Sequence, residues 1–169
     1  MPPSSRAALC PATVEGPASS APHSPPLTSS ERGLALSVTL LGDPRSAAVG
    51  RALLTAALRT HGLTRYAWPA WPAGPAGLAM GELLSVAARM APDKELYVFV
   101  RERDDALRLV TWDQHTGHDD PGVAALCRSR RRRALWLLAA VVADWGGAWG
   151  TDGALPPHRG TKTWVLLPR

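Results

Sequence analysis

The chain has no asparagine and no isoleucine, one phenylalanine, two lysines and two cysteines. Each scarcity narrows the reading. Cys10 and Cys127 have neither the spacing of a metal knuckle nor that of a redox pair. They supply no disulfide framework, which fits a reducing compartment. No apolar run reaches the roughly 18 residues of a membrane-crossing helix. Met1 to Cys10 has one arginine and lacks an apolar segment of secretory type, so a cytoplasmic protein is expected. With lysine so rare, arginine carries nearly all of the positive charge.

What the chain has is a basic, Ala-, Gly- and Pro-rich composition. The 169 residues hold 19 Lys/Arg and 14 Asp/Glu, a net charge of +5, and 46% are apolar. That suits one domain with an ordinary core. The positive balance admits nucleic acid, acidic proteins or phosphate ligands without choosing among them. Residues 1–33 are rich in Pro, Ser and Ala, show no apolar periodicity, and are expected to be a disordered tail. The folded domain is expected over 34–169.

Leu34 to Leu41 reads as a strand. Asp43 and Pro44 read as the cap and first position of a helix from Arg45 to about Thr60, with Ala48, Leu53, Leu54, Ala57 and Leu58 on its apolar stripe. Pro69, Pro72 and Pro75, interleaved with Trp68 and Trp71, mark a loop over 64–77. The two tryptophans there are read as a cover for a site or as a partner surface. A second helix is expected from Leu78 to about Met90. Glu95 to Arg103 and Ala106 to Asp113 read as strands paired through Asp104-Asp105. Gln114 to Arg128 reads as a polar loop, and Arg130 to Trp145 as a third helix. Gly146 to Thr151 and Thr161 to Leu167 read as closing strands. The order β-α-α-β-β-α-β-β implies an α/β (α+β) two-layer sandwich, with a mostly antiparallel sheet and helices on one face.

The densest charge lies in Arg128-Ser129-Arg130-Arg131-Arg132-Arg133, five arginines in six positions. Read as the start of the third helix, they crowd onto its positive end, where cations are disfavoured. Such a run asks for an anion, an acidic partner or full solvation. Trp136, Trp145, Trp149 and Trp164 read as core or helix–sheet contacts. His115 and His118, near Asp119 and Asp120, lack a firm ligand spacing and read as solvated loop residues rather than a metal site.

Five segments together resemble the histidine-kinase-like ATPase (GHKL or Bergerat) domain, in particular small stand-alone actinobacterial ATP-binding proteins similar to anti-sigma-factor serine kinases. They are Gly42-Asp43-Pro44-Arg45-Ser46-Ala47-Ala48, Gly81-Glu82-Leu83-Leu84-Ser85-Val86-Ala87-Ala88-Arg89-Met90-Ala91, Val110-Thr111-Trp112-Asp113-Gln114-His115-Thr116-Gly117, Arg132-Arg133-Ala134-Leu135 with Ala143-Asp144-Trp145-Gly146, and Gly160-Thr161-Lys162-Thr163-Trp164. The resemblance implies ATP as ligand, Glu82 as general base and Asp113 as the adenine contact. Gly117, Arg132, Arg133 and Thr163 would be further nucleotide contacts.

The departures from the family pattern bear on mechanism. Val86 stands at the Mg²⁺-binding Asn position, and a chain without asparagine cannot recover it by realignment. His115, Arg132 and Ala134 stand where the family has glycines. Phosphoryl transfer depends on positioning and metal charge, so catalysis is expected to be weak or absent. The resulting expectation is an ATP-binding regulatory domain, with a sigma factor or an anti-anti-sigma factor as partner and homodimerisation within reach. The alternative is a pseudo-enzyme interaction module without nucleotide, its cavity filled by Met90, His115 or Trp136. A weaker alternative is nucleic-acid binding through the arginine run, which no recognition motif accompanies.

Overall fold

Alternating side chains define the sheet. In the computed structural model, which describes residues 33–67, 74–115, 117–153 and 159–169, strand β1 (Ala35–Leu41) turns Leu36, Val38 and Leu40 inward. β2 (Glu95–Arg103) buries Leu96, Val98 and Val100, and β3 (Ala106–Asp113) buries Leu107 and Leu109. β4 (Ala148–Gly153) pairs with β5 (Thr161–Pro168), which buries Val165 and Leu167. The strand order is β1-β2-β3-β5-β4 and every neighbouring pair is antiparallel. Asp104 and Asp105 take φ of 52° and 58° at the β2–β3 turn, the double left-handed geometry that matches the strand twist. Residues 1–32 of the tail expected over 1–33, with Trp68, Pro69, Trp71, Pro72, Pro156 and Pro157, lie outside the described residues.

The inner sheet face carries the helices, giving an α+β two-layer sandwich. α1 (Ser46–Thr60) and α2 (Pro75–Met90) pack against each other, and α2 is buried along most of its length. Each fully buried Leu or Met here contributes about 1.5–3 kcal/mol. The opposite sheet face keeps Phe99 and Leu166 at 43% and 39% exposure. No helix among the described residues is long and apolar enough to cross a membrane.

Three local expectations need correction. α1 starts at Ser46, because Asp43 spends its carboxylate on the Arg45 N–H (2.6 Å) in a preceding turn, and its carbonyl accepts the Ser46 N–H at 3.0 Å. Its buried stripe is Ala47, Gly50, Leu54 and Leu58, with Ala48 and Leu53 exposed. Apolar residues lie around much of this helix, so its periodicity fits more than one face; the expected stripe is rotated toward Gly50, where α1 packs closely on Leu84. Pro75 belongs to α2 as its first residue rather than to the loop, a place where the missing N–H is harmless.

The largest correction concerns the arginines. Residues 114–128 are not all loop: α3 runs from Pro121 to Ala134, and a separate α4 from Trp136 to Asp144. Asp120 caps α3 by accepting the Val123 N–H at 2.8 Å, and Pro121 occupies the first turn. Leu135, fully buried, separates the two helices with φ −95° and ψ 17°. The arginine run therefore sits in the last two turns of α3, where the helix dipole favours cations. The expected electrostatic conflict does not arise.

Contact between α1 and α2 depends on Gly50, where an added Cβ would lie 2.2 Å from Leu84 Cδ1. Gly50→Ala is expected to cost about 1–3 kcal/mol, measured by urea unfolding. Gly50→Ala combined with Leu84→Ala should cost clearly less than the sum of the two singles, because the clash and the cavity compensate. Strict additivity would contradict this packing.

Candidate functional site

Alternation in β3 turns Leu107, Leu109, Thr111 and Asp113 to the same inward face. A carboxylate there is 1% exposed and cannot stay charged without a partner. Arg131 of α3, itself 4% exposed, is that partner. Its Nη1 lies 2.5 Å from Asp113 Oδ2 and its Nη2 lies 3.1 Å from Oδ1, a two-pronged pair. The His115 backbone N–H also donates to Oδ1, at 3.1 Å. Asp113 thus receives three hydrogen bonds from within its own domain. The strand end is closed further by Gly160, whose φ of 118° lets it pass over Asp113; a Cβ there would meet the Asp113 carbonyl oxygen at 2.0 Å. Trp112 Nε1–H donates to the neighbouring Arg159 carbonyl at 3.0 Å.

The remaining sequence-identified residues are distributed around this pair rather than gathered on it. Glu82, half-buried on α2, lines a cavity of about 970 Å³ with Ser85, Arg89, Arg130, Arg133 and Trp136. Val86 is buried in the core at 2% exposure. Gly117 lies on the rim of a second cavity, about 670 Å³, lined also by His115, Cys127, Arg131 and Asp152. Arg132 and Arg133 border a smaller cleft of about 510 Å³ beside Thr151. Thr163 is buried on β5, opposite Thr111 of β3. Asp113 and Thr163 line none of these three cavities.

The residues proposed from the sequence as fillers behave differently from one another. Trp136 is 69% exposed and fills nothing. This also corrects its reading as a core residue, whereas Trp145 and Trp149 do pack against the core. Trp164 lies on the outer sheet face and donates its indole N–H to Asp152 Oδ2 at 2.9 Å. His115 is held under the C-terminal end of α2, with Nδ1 2.9 Å from the Met90 carbonyl oxygen. The group that occupies the Asp113 carboxylate is Arg131, a residue that pattern reading passed over. The cap signal Asp120-Pro121 would have revealed it, since a helix starting there places Ala124, Cys127, Arg131 and Ala134 on one face.

No protein-family model matches the chain, and no curated protein matches it. Among solved structures, the chain is similar to the mycobacterial sensor histidine kinase MprB. That match is 24% identical, with a TM-score of 0.42, and covers 56% of this chain and 72% of that one. A match of that size describes partial overlap of shape and says nothing of an activity.

Removing one member of a buried ion pair leaves the other charge uncompensated. Arg131→Met is expected to cost about 3–5 kcal/mol, whereas Arg133→Met, two residues on and exposed, should change stability by no more than about 0.5 kcal/mol. Denaturant unfolding of the two variants checks this; equal, small effects would show that Asp113 does not depend on Arg131.

Proposed function

We propose that this chain is a regulatory module of the histidine-kinase-like ATPase type that works through protein contacts and no longer through nucleotide chemistry. The observation that carries this reading is the Asp113–Arg131 pair. In the family resembled, a carboxylate at this position reads the adenine amino group. Here both carboxylate oxygens are taken up by Arg131 and by the His115 N–H. Two further features support the loss. The Mg²⁺-ligand position is the buried Val86, and the glycine positions of the phosphate loop are Arg132 and Ala134 inside or at the end of α3. A helical backbone there has its N–H groups engaged and cannot cradle a phosphate.

The same helix offers a surface for a partner. Arg128, Arg130, Arg132 and Arg133 are exposed along α3, and Trp136 and Leu137 are exposed at the start of α4. Guanidinium groups beside an exposed indole suit an acidic protein surface that also buries an aromatic anchor. A sigma factor or an anti-anti-sigma factor has that kind of role in the family resembled, and a second copy of the chain is the other candidate.

One observation favours a second reading, retained ATP binding. The cavity holding Glu82 also holds Arg130 and Arg133, a set able to meet phosphates without Mg²⁺. Isothermal titration with ATP and ADP, each with and without Mg²⁺, separates the two. The expected result is no saturable heat up to millimolar nucleotide. Stoichiometric, saturable binding that Arg133→Ala abolishes would overturn the interaction-module reading in favour of the second.

A further inference from the structure

Two histidines that read as solvated residues are joined in the fold by a third group. α3 carries Cys127 on the face that also carries Arg131, and sets its Sγ 3.2 Å from His115 Nε2. His118 Nε2 lies 3.3 Å from the same His115 nitrogen. The three atoms all fall within 4.8 Å of one another.

The Nδ1 contact of His115 makes this cluster more than a chance meeting. Its Nδ1 faces the Met90 carbonyl oxygen at 2.9 Å. A carbonyl only accepts, so Nδ1 holds the proton and the Nε2 of the neutral ring presents a lone pair. That single lone pair is approached by both His118 and Cys127. Two hydrogen-bond donors cannot share it well, whereas one cation can be shared by all three groups. A histidine that ligates a metal usually donates its other ring N–H to a carbonyl or carboxylate in just this way.

We propose that His115 Nε2, His118 Nε2 and Cys127 Sγ bind one zinc ion. Two imidazoles and a thiolate are donors that suit zinc. Tetrahedral bonds of about 2.0–2.1 Å to nitrogen and 2.3 Å to sulfur place neighbouring nitrogens about 3.3–3.4 Å apart and a nitrogen and a sulfur about 3.5–3.6 Å apart. The His115–His118 separation of 3.3 Å already matches, and the Cys127–His115 separation of 3.2 Å needs to open by only about 0.3 Å. The third edge closes by a small rotation of His118, which is exposed. With three protein ligands, the fourth position opens to the cavity also lined by Asp119, Arg128 and Asp152 and takes water. Binding forms two Zn–N bonds and one Zn–S bond and releases the Cys127 thiol proton to solvent; nothing is oxidised or reduced. The ion would tie the segment after β3 to the middle of α3, one turn before Arg131.

The site is testable apart from any nucleotide reading. The full chain is titrated with Co²⁺ alone, then with Zn²⁺. One Co²⁺ per chain is expected, with a thiolate-to-metal charge-transfer band in the near ultraviolet and the intense visible bands of tetrahedral cobalt, all displaced by Zn²⁺. Cys127→Ser should lose the charge-transfer band, and His118→Ala should weaken Co²⁺ binding by at least the roughly 10–100-fold that losing a ligand's supporting partner costs. Neither residue is buried, so both variants should keep the wild-type far-ultraviolet circular dichroism. Cys10→Ser should behave as wild type. The proposal is overturned by weak octahedral bands with no charge transfer in the wild-type chain. A band that survives Cys127→Ser or disappears in Cys10→Ser, or undiminished affinity in His118→Ala, also overturns it.

Discussion

A charged carboxylate at the buried end of β3 has to be matched by a cation, and the second half of the domain is arranged around that demand. Asp113 faces inward because β3 alternates. Only a long side chain from an adjoining element can reach it without admitting water. Arg131 does so because α3 begins at the capped Asp120-Pro121 step, which puts Arg131 on the inward face with Cys127 and Ala124. The pair is a poor source of net stability compared with an apolar replacement, yet breaking it is costly. That asymmetry lets one interaction set how the helix docks.

The consequences reach both surfaces proposed to matter. With Arg131 turned in, the other four arginines of the run are left on the outside of α3, at the end of the helix whose dipole accepts them. They face solvent as a ready-made cationic surface beside Trp136. On the inner side, the same docking brings Cys127 against His115, and so assembles three metal-competent groups from a loop and a helix. A basic run that reads as one feature thus divides into a buried cation and an exposed patch, with different duties.

Much of the fold was legible in the chain itself. The ends of β2 and β3 and the turn between them follow from alternation and from Asp104-Asp105. The antiparallel two-layer order follows from the succession of elements. The less legible parts have physical causes. α1 is apolar around much of its circumference, so its buried face is chosen by the close approach at Gly50. α3 was hidden because its polar composition resembles a loop and its capping signal was outweighed by the arginine run that follows. The break at Leu135 gives no signal of its own, as both flanking segments favour helix. The site was legible as positions and not as contacts. Asp113 stands out at a strand end, but its use depends on which of five arginines faces inward.

The claim that Asp113 is held by Arg131 is tested most directly by a double-mutant cycle in urea, with Asp113→Leu, Arg131→Met and the two combined. The account predicts that the double variant is at least as stable as either single, giving a coupling energy no smaller than the loss in Arg131→Met, about 3 kcal/mol or more. Additive losses, with a double variant as unstable as the sum of the singles, would contradict it.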